Sequence, residues 1–455
     1  MKRIRFYVAM IAARSSVILL KLLGRNASHF PGVVALKICP QVLGYLEMPD
    51  KFVAITGTNG KTTTTNMIVD FLEAKNVSIV SNTSGSNIEG GIITSLLTST
   101  SFFGKNKKDI AVFEVDEKIT PYIFPYIQPD YLVVTNLYRD SYKRNAHVGY
   151  IVDILEQTIP KKSHLILNGD DVLASNLRKD NKRSTFSIAP QEFEEEIKDS
   201  IIQDAPYCPV CGDVLVYDFK RYHHIGVVHC NKCGYKTPEI TYELKEITDT
   251  HLLLIEDGKS YEYKNKIRNI TDNYNKLAAI AVLREIGYTH KEIADSFDKE
   301  AVKVVESRYD ESLVNGKRIV SVLAKDQNPV ANSRVYDFVR KQDDWGSMTI
   351  IFMNEDSTHS TEFGEVENTS WHYESDFEYL NDPRIKKIYC MGNRVLDFKT
   401  RLVLAGINPD IITLLEPADT IDIPFDTDSV VMLHDLTNLT HVKKFRAILE
   451  SEAAK

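Results

Sequence analysis

The chain has 455 residues, enough for about three domains, and its 43% hydrophobic and 26% charged content is that of an ordinary globular protein. A formal net charge of −8 provides no basic field and argues against a nucleic-acid binder. Six cysteines are present, four of them in two close pairs, and the expected reducing compartment argues against disulfides.

The chain opens on MKRIRFYVAMIAARSSVILLKLLGR, apolar and basic together through Lys2, Arg3, Arg5, Arg14, Lys21 and Arg25. A spanning helix needs about 20 uninterrupted apolar residues, which these charges deny. Arg14 also breaks the apolar run that a signal peptide needs. The pattern predicts an amphipathic helix, packed either on its own protein or on an anionic membrane surface. With no export signal recognised, the expected location is cytoplasmic, at the inner face of the plasma membrane where the helix meets lipid. FPGVVALKICPQVLGYLEMPD then runs to Asp50 as a short connecting element, so residues 1–50 are expected to form a basic N-terminal segment.

KFVAIT reads as a strand and TTTTNMIVDFLEAKN as a helix, with GTNGK between them. Strand, glycine-rich turn, lysine, threonine and helix together point backbone N–H groups and a positive helix end at a phosphate. Gly57 and Gly60 admit close approach, Lys61 supplies charge to the terminal phosphates, and the Thr62 hydroxyl suits Mg²⁺. The longer phosphate-loop pattern asks for glycine where Ile55 stands, so the loop is the shorter G-T-N-G-K-T, with Thr58, Asn59 and Thr63 completing its lining. Near-continuous apolar runs at 109–116, 131–137 and 164–171 predict further strands of a parallel sheet covered on both faces.

CPVCG at 208–212 and CNKCG at 230–234 give C-x2-C, eighteen residues and C-x2-C. Two tight turns, each presenting two thiolates, predict a tetrahedral Zn²⁺ site of Cys208, Cys211, Cys230 and Cys233. Four sulfur ligands leave no place for water, so the zinc is expected to be structural, in a ribbon inserted at about 203–240. DNYNKLAAIAVLREIG resumes the α/β layout as a helix, which places a central domain at 51–310. From 311 to 455 RIVSVLA, MTIIFMN, KIYCMG and SVVMLHD alternate with helical stretches, which predicts a second, Rossmann-like α/β domain. Cys390 lies in IYCMGN, which lacks a nucleophile elbow.

GTNGKTTTTNM resembles the ATP loop of the Mur ligases, which join amino acids to peptidoglycan precursors. FEVDE, VVTNLYRD and NITDNYNKLAA resemble three further stretches of that family, in the same order. The resemblance implies that Glu114 holds Mg²⁺, that Asn273 and Asn275 face the nucleotide, and that Asn168 and Arg308 add ATP contacts. A Mur ligase with a four-cysteine ribbon in its central domain is similar to the MurT-type ligase subunits of lipid II isoglutaminyl synthase. FPGVVALKICPQVL, TSWHYESDFE and GNRVLDFKTRLVLAGI extend that likeness over most of the chain. It implies ATP-dependent amidation of the D-glutamate α-carboxylate of lipid II by glutamine-derived ammonia, in a heterodimer with a class I glutaminase of the GatD type.

The family commonly reads D-x-S-W-x-x-D-x-D-F-E in its last domain, where an aspartate completes the partner's Cys–His triad. Here Asn368 and Glu374 replace the first two aspartates and Asp376 keeps the third. Ser141 stands where many Mur ligases carry a metal-binding histidine. These departures mark a divergent member. They leave open an amino-acid-adding Mur-type ligase, and a non-catalytic ATP-binding paralogue that serves as a cell-wall scaffold.

Overall fold

A computed structural model describes residues 2–83, 86–139, 147–194, 200–267, 269–298, 309–324, 328–353, 370–392, 394–415, 426–435 and 439–454. The chain divides into two units. The first comprises residues 1–138, 148–198 and 205–305, and the second residues 139–147, 199–204 and 306–455. Residues 1–50 belong to the first unit rather than standing apart from it, because one face of the N-terminal helix is part of its core.

The first unit opens with α1 (Lys2–Leu22) and α2 (Phe30–Ile38). The connecting element expected before Asp50 thus contains a helix, favoured by Pro31 in its first turn, where a missing N–H costs nothing. Then follow β1 (Lys51–Thr56), α3 (Lys61–Ala74), β2 (Ile79–Ser81), α4 (Glu89–Ser99), β3 (Ile110–Glu114) and the single turn α5 (Thr120–Ile123). β4 (Tyr131–Val134), α6 (Val148–Thr158), β5 (His164–Asn168) and β6 (Arg183–Ile188) complete the parallel part. The hairpin β7 (Val216–Tyr222) and β8 (Ile225–His229) belongs to the cysteine ribbon. β9 (Tyr242–Ile247), β10 (His251–Glu256) and β11 (Lys259–Lys264) lead into α7 (Ile270–Glu285) and α8 (His290–Asp298).

Among the described residues the sheet order is β11-β10-β9-β6-β5-β4-β1-β3-β2, parallel from β2 to β9 and antiparallel beyond. β1 lies between β3 and β4, which places its C-terminal end in the crevice where α/β sheets bind ligands. Its residues are buried from Phe52 to Thr56, as a strand covered on both faces requires. On one face Phe52, Ala54, Ala111 and Phe113 pack against Phe6, Met10 and Ala13 of α1 and Ile93 and Leu97 of α4.

The second unit has β12 (Tyr309–Val314), β13 (Lys317–Leu323), α9 (Pro329–Arg340), β14 (Met348–Met353) and the short turn α10 (Trp371–Glu374). β15 (Ile385–Met391), α11 (Val395–Leu404), β16 (Ile412–Leu415), β17 (Ser429–His434) and α12 (Leu439–Ala453) follow. Its sheet runs β12-β13-β17-β14-β15-β16, parallel except for the β12 edge. Alternation along β14 sends Met348, Ile350 and Phe352 into one core with Trp345, Phe377 and Phe398, and Ile351 and Met353 into the other with Val442 and Phe445 of α12.

Candidate active site

The turn between β1 and α3 is held from below by the end of β4. Thr58 N–H donates to the Asn136 carbonyl (2.9 Å) and Asn59 N–H to Asn136 Oδ1 (2.9 Å). The Thr135 hydroxyl and Asn136 Nδ2 both donate to the Asn59 carbonyl, at 2.7 and 3.0 Å. Gly57 (φ +123°) sits so close that a Cβ would lie 2.2 Å from Thr135 Oγ1, and at Gly60 (φ +87°) one would lie 2.1 Å from Asn275 Oδ1. Both positions therefore demand glycine. α3 starts directly at Lys61 with no side-chain cap, so the N–H groups of its first turn have no partner within the helix. Among the described residues both polar atoms of the buried Asn59 side chain also lack a hydrogen-bond partner. Oriented donors without partners, around a turn that excludes side chains, suit a phosphate chain.

Lys61 Nζ donates to the Gly57 carbonyl and lies 3.2 Å from Glu117 Oε1, which also accepts the Gly57 N–H (2.8 Å). Burial by itself would lower the Lys61 pKa. Glu117, followed by Glu114 and Asp116, outweighs that and holds the pKa above the ordinary lysine value, so the ammonium stays charged. Beside it the Thr62 hydroxyl donates to Glu114 Oε2 (2.7 Å), and Asn87 Nδ2 donates to Glu114 Oε1 (2.8 Å). A hydroxyl and a carboxylate in contact next to a phosphate cradle are the hard-oxygen set that Mg²⁺ prefers. Asn82 fixes the end of β3 by accepting the Glu114 N–H and donating to its carbonyl (2.9 and 2.8 Å).

Of the other residues singled out from sequence, Asn275 faces Gly60 and donates to Asp272 Oδ1 (3.1 Å). Asn273 is fully buried, with Nδ2 donating to the Ile267 and Asn269 carbonyls and Oδ1 without a partner among the described residues. Asn168 spends its side chain on backbone: Nδ2 donates to the Thr135 carbonyl (3.0 Å), and Oδ1 accepts the Asp170 N–H (3.1 Å). Its geometry is that of a group positioning the β4 and β5 ends. Thr58 and Thr63 line the turn half-exposed. Arg308, Asn368 and Ser141 lie outside the described residues. Glu117, Asn87 and Asn82 were not singled out from sequence. Glu117 stands in the quoted FEVDE, but a one-dimensional motif does not show that its carboxylate turns back under the loop.

The four cysteines converge. Their sulfur atoms all lie within 4.8 Å of one another, with Cys208–Cys233 at 3.5 Å and Cys211–Cys230 at 3.6 Å. Tetrahedral zinc with Zn–S of about 2.3 Å sets sulfurs about 3.8 Å apart, so this set fits. The two turns have matching backbone bonds, Gly212 N–H to the Cys208 carbonyl and Gly234 N–H to the Cys230 carbonyl. The hairpin beyond them reaches the C-terminal ends of the parallel strands. Arg221 of β7 donates to Glu194 (2.6 and 2.8 Å) and to the Tyr274 hydroxyl, which in turn donates to Asp170 Oδ2. His224 Nε2 lies 3.3 Å from Asp171 Oδ1, and Asp171 Oδ2 accepts the Leu137 N–H (2.7 Å). The ribbon thereby braces both the loop after β5 and the first turns of α7.

In the second unit Glu374 pairs with Arg139 (2.7 Å), which also pairs with Asp204. Asp376 is buried and accepts the Ile201 N–H (2.7 Å) and the Ser200 hydroxyl (2.8 Å). Burial raises its pKa above the ordinary carboxylate value against the pull of those bonds. Cys390 is fully buried in β15, and burial pushes its thiol up to about 12. A thiol so protonated is no nucleophile, as its sequence setting leads one to expect.

Two family models match the chain, the Mur ligase middle domain over residues 55–225 and the MurT ligase C-terminal domain over residues 323–439. Among solved structures, a pseudomurein peptide ligase type C from Methanothermus fervidus aligns at a TM-score of 0.64 with 18% identity, covering 91% of this chain and 81% of the other. A MurF ligase from Thermotoga maritima in complex with ADP aligns at 0.53 with 16% identity, covering 93% and 84%. These likenesses show the Mur-ligase fold. A D-glutamate-adding ligase from Streptococcus equi subsp. zooepidemicus is 30% identical over only 35% of this chain and 34% of its own. The MurT subunit of the glutamine-hydrolysing lipid II isoglutaminyl synthase of Streptococcus pneumoniae is 29% identical over 98% of this chain and 97% of its own. The corresponding subunit from Staphylococcus aureus N315 is 31% identical over 89% and 88%. With the middle-domain and C-terminal models matched in order and a relative 31% identical over 89% of the chain, the chain belongs to the family of MurT subunits, within the Mur ligases.

Proposed function

We propose that this chain is the ATP-dependent ligase subunit that activates the α-carboxylate of D-glutamate in the lipid II stem peptide for amidation, yielding D-isoglutamine during peptidoglycan synthesis. The observation that carries this reading is the convergence of Lys61, Thr62 and Glu114 at one turn, in a chain related to MurT subunits over most of its length. A carboxylate resists ammonia because its leaving group would be oxide; bound ATP with Mg²⁺ supplies the phosphoryl group that makes the leaving group a good one. The protein's own task is positioning and charge stabilisation. The free N–H groups at the start of α3 orient the phosphates, Lys61 neutralises their outer charge, and Thr62 with Glu114 would hold the metal. Asn273, Asn275 and Arg308 would border the nucleotide.

Ammonia would come from glutamine through a class I glutaminase of the GatD type, bound as a heterodimer. The candidates for the partner's triad are Asn368, Glu374 and Asp376; Glu374 is paired with Arg139, and the Asp376 oxygens accept from Ser200 and Ile201. The ribbon would carry one structural Zn²⁺ on Cys208, Cys211, Cys230 and Cys233. The working place is the cytoplasmic side of the membrane that holds lipid II.

The test mixes the purified chain with a class I glutaminase, glutamine, Mg-ATP and lipid II, and reads the product by mass spectrometry. Conversion of the glutamate carboxyl to an amide is expected. Incorporation of an amino acid, or ATP binding with no product, would overturn the proposal.

A further inference from the structure

No helix among the described residues is long and apolar enough to cross a membrane, yet α1 carries two apolar faces. Phe6, Ala9, Met10 and Ala13 make one, buried in the core with Ala35 of α2 and Leu97 of α4. Ile4, Val8, Ile11, Ile18, Leu19 and Leu22 make the other, and all are exposed, Leu22 at 80% and Ile4 at 67%. At about 100° per residue these six fall within an arc of about 100°, opposite the buried set.

The rotation of α1 is locked. The Arg14 guanidinium donates to the carbonyls of Leu97 (2.9 Å), Thr100 (2.6 Å) and Ser101 (3.1 Å), placing its charge on the C-terminal end of α4. Tyr7 stacks on Phe102 with ring centroids 6.1 Å apart and meets Phe103 edge-on at 6.3 Å. Phe103 is 68% exposed and extends the apolar patch sideways. The outward stripe therefore cannot be buried by rolling the helix inward.

The charge around it has one sign. The first 25 residues hold six basic and no acidic side chains in a chain of net charge −8, and Arg3, Arg5, Lys21 and Arg25 are exposed. A second copy seated on this stripe would set cations against the same cations. An anionic lipid surface satisfies both the apolar stripe and the charge. We propose that the outer face of α1, with Phe102 and Phe103, lies flat in the headgroup region of an anionic bilayer and holds the enzyme there. This stands whether or not lipid II is the acceptor.

The full chain is tested by co-sedimentation with vesicles of phosphatidylcholine alone and of phosphatidylcholine with about one third phosphatidylglycerol. Binding to the anionic vesicles is expected, weakening as salt rises. Ile18→Asp with Leu22→Asp should weaken it at least about tenfold while ATP-analogue binding is kept, since neither residue touches the core. Arg3→Gln with Arg5→Gln should lower anionic binding several-fold and leave neutral vesicles unaffected. The proposal is overturned if the wild-type chain stays in the supernatant at low salt, or if the aspartate pair binds as the wild type does. It is equally overturned if sedimentation shows a dimer that the pair converts to monomer.

Discussion

Lys61 is largely enclosed beside three carboxylates and yet keeps its proton, because the field of Glu117, Glu114 and Asp116 exceeds the cost of desolvation. A lysine held charged in this way is ready for a triphosphate, which can take over the electrostatic role of Glu117. Lys61→Ala should lower turnover at least about a hundredfold, read as ADP release in the complete system, since preorganised charge at the transferred group is lost. Glu117→Gln separates two roles of one side chain. The amide oxygen can still accept the Gly57 N–H but no longer pairs with Lys61, so kcat should fall about tenfold while the KM for ATP moves much less. A KM change without a kcat change would show that Glu117 serves only to bind. At Cys390, a thiol raised to about 12 within a closed core should resist iodoacetamide in native protein and react once guanidinium unfolds the second unit. Labelling of the native chain at Cys390 would contradict the packing described.

At the scale of elements, the Arg221–Tyr274–Asp170 chain links the four-thiol ribbon to the strand ends beside the phosphate cradle. Tyr274 lies between Asn273 and Asn275, so loosening the hairpin should be felt at the two asparagines proposed to border the nucleotide. Elemental analysis should find about one zinc per chain, and Cys208→Ser should both lower the melting temperature and weaken ATP-analogue binding. Arg221→Met leaves Asp170 buried without its cation and should cost about 3–5 kcal/mol of unfolding free energy by denaturant titration. An unchanged ATP affinity in a destabilised Cys208→Ser chain would mean that the ribbon is only a local clasp. The convergence of the four cysteines was legible in the sequence, since two C-x2-C turns bring their thiols together. So were the strands β1, β3, β4 and β5, whose uninterrupted apolar runs leave little choice. The ribbon's attachment was not legible, because Arg221, Asp170 and Tyr274 are far apart in sequence and each looks like a surface residue. α2 was missed because FPGVVALKI is apolar on every side, which removes the periodic signal, and only Pro31 announces a helix start. The second face of α1 shows as composition in the sequence. That its other face is already taken needs the fold.

For the whole molecule, the reaction requires ammonia, and the cysteines bear on where it comes from. Four of the six converge on one another, and Cys39 and Cys390 are buried, so no thiol outside the ribbon is placed to attack glutamine. The chain alone should therefore hydrolyse no glutamine, yet its ligase chemistry should still run if ammonia is supplied from solution. Ammonium ion is no nucleophile, and below its pKa each pH unit raises free ammonia about tenfold. With ammonium chloride, Mg-ATP and lipid II, the rate of amidation by the isolated chain should climb with that slope from pH 7 to 9, roughly in step with free ammonia. With glutamine and a glutaminase partner the profile should be flatter, because the nucleophile then arrives unprotonated. Equal slopes in the two experiments would mean that ammonia equilibrates with water before it reacts. Amide product from the isolated chain with glutamine alone would mean that a second nucleophile lies in this chain, and the division of labour between two subunits would have to be redrawn.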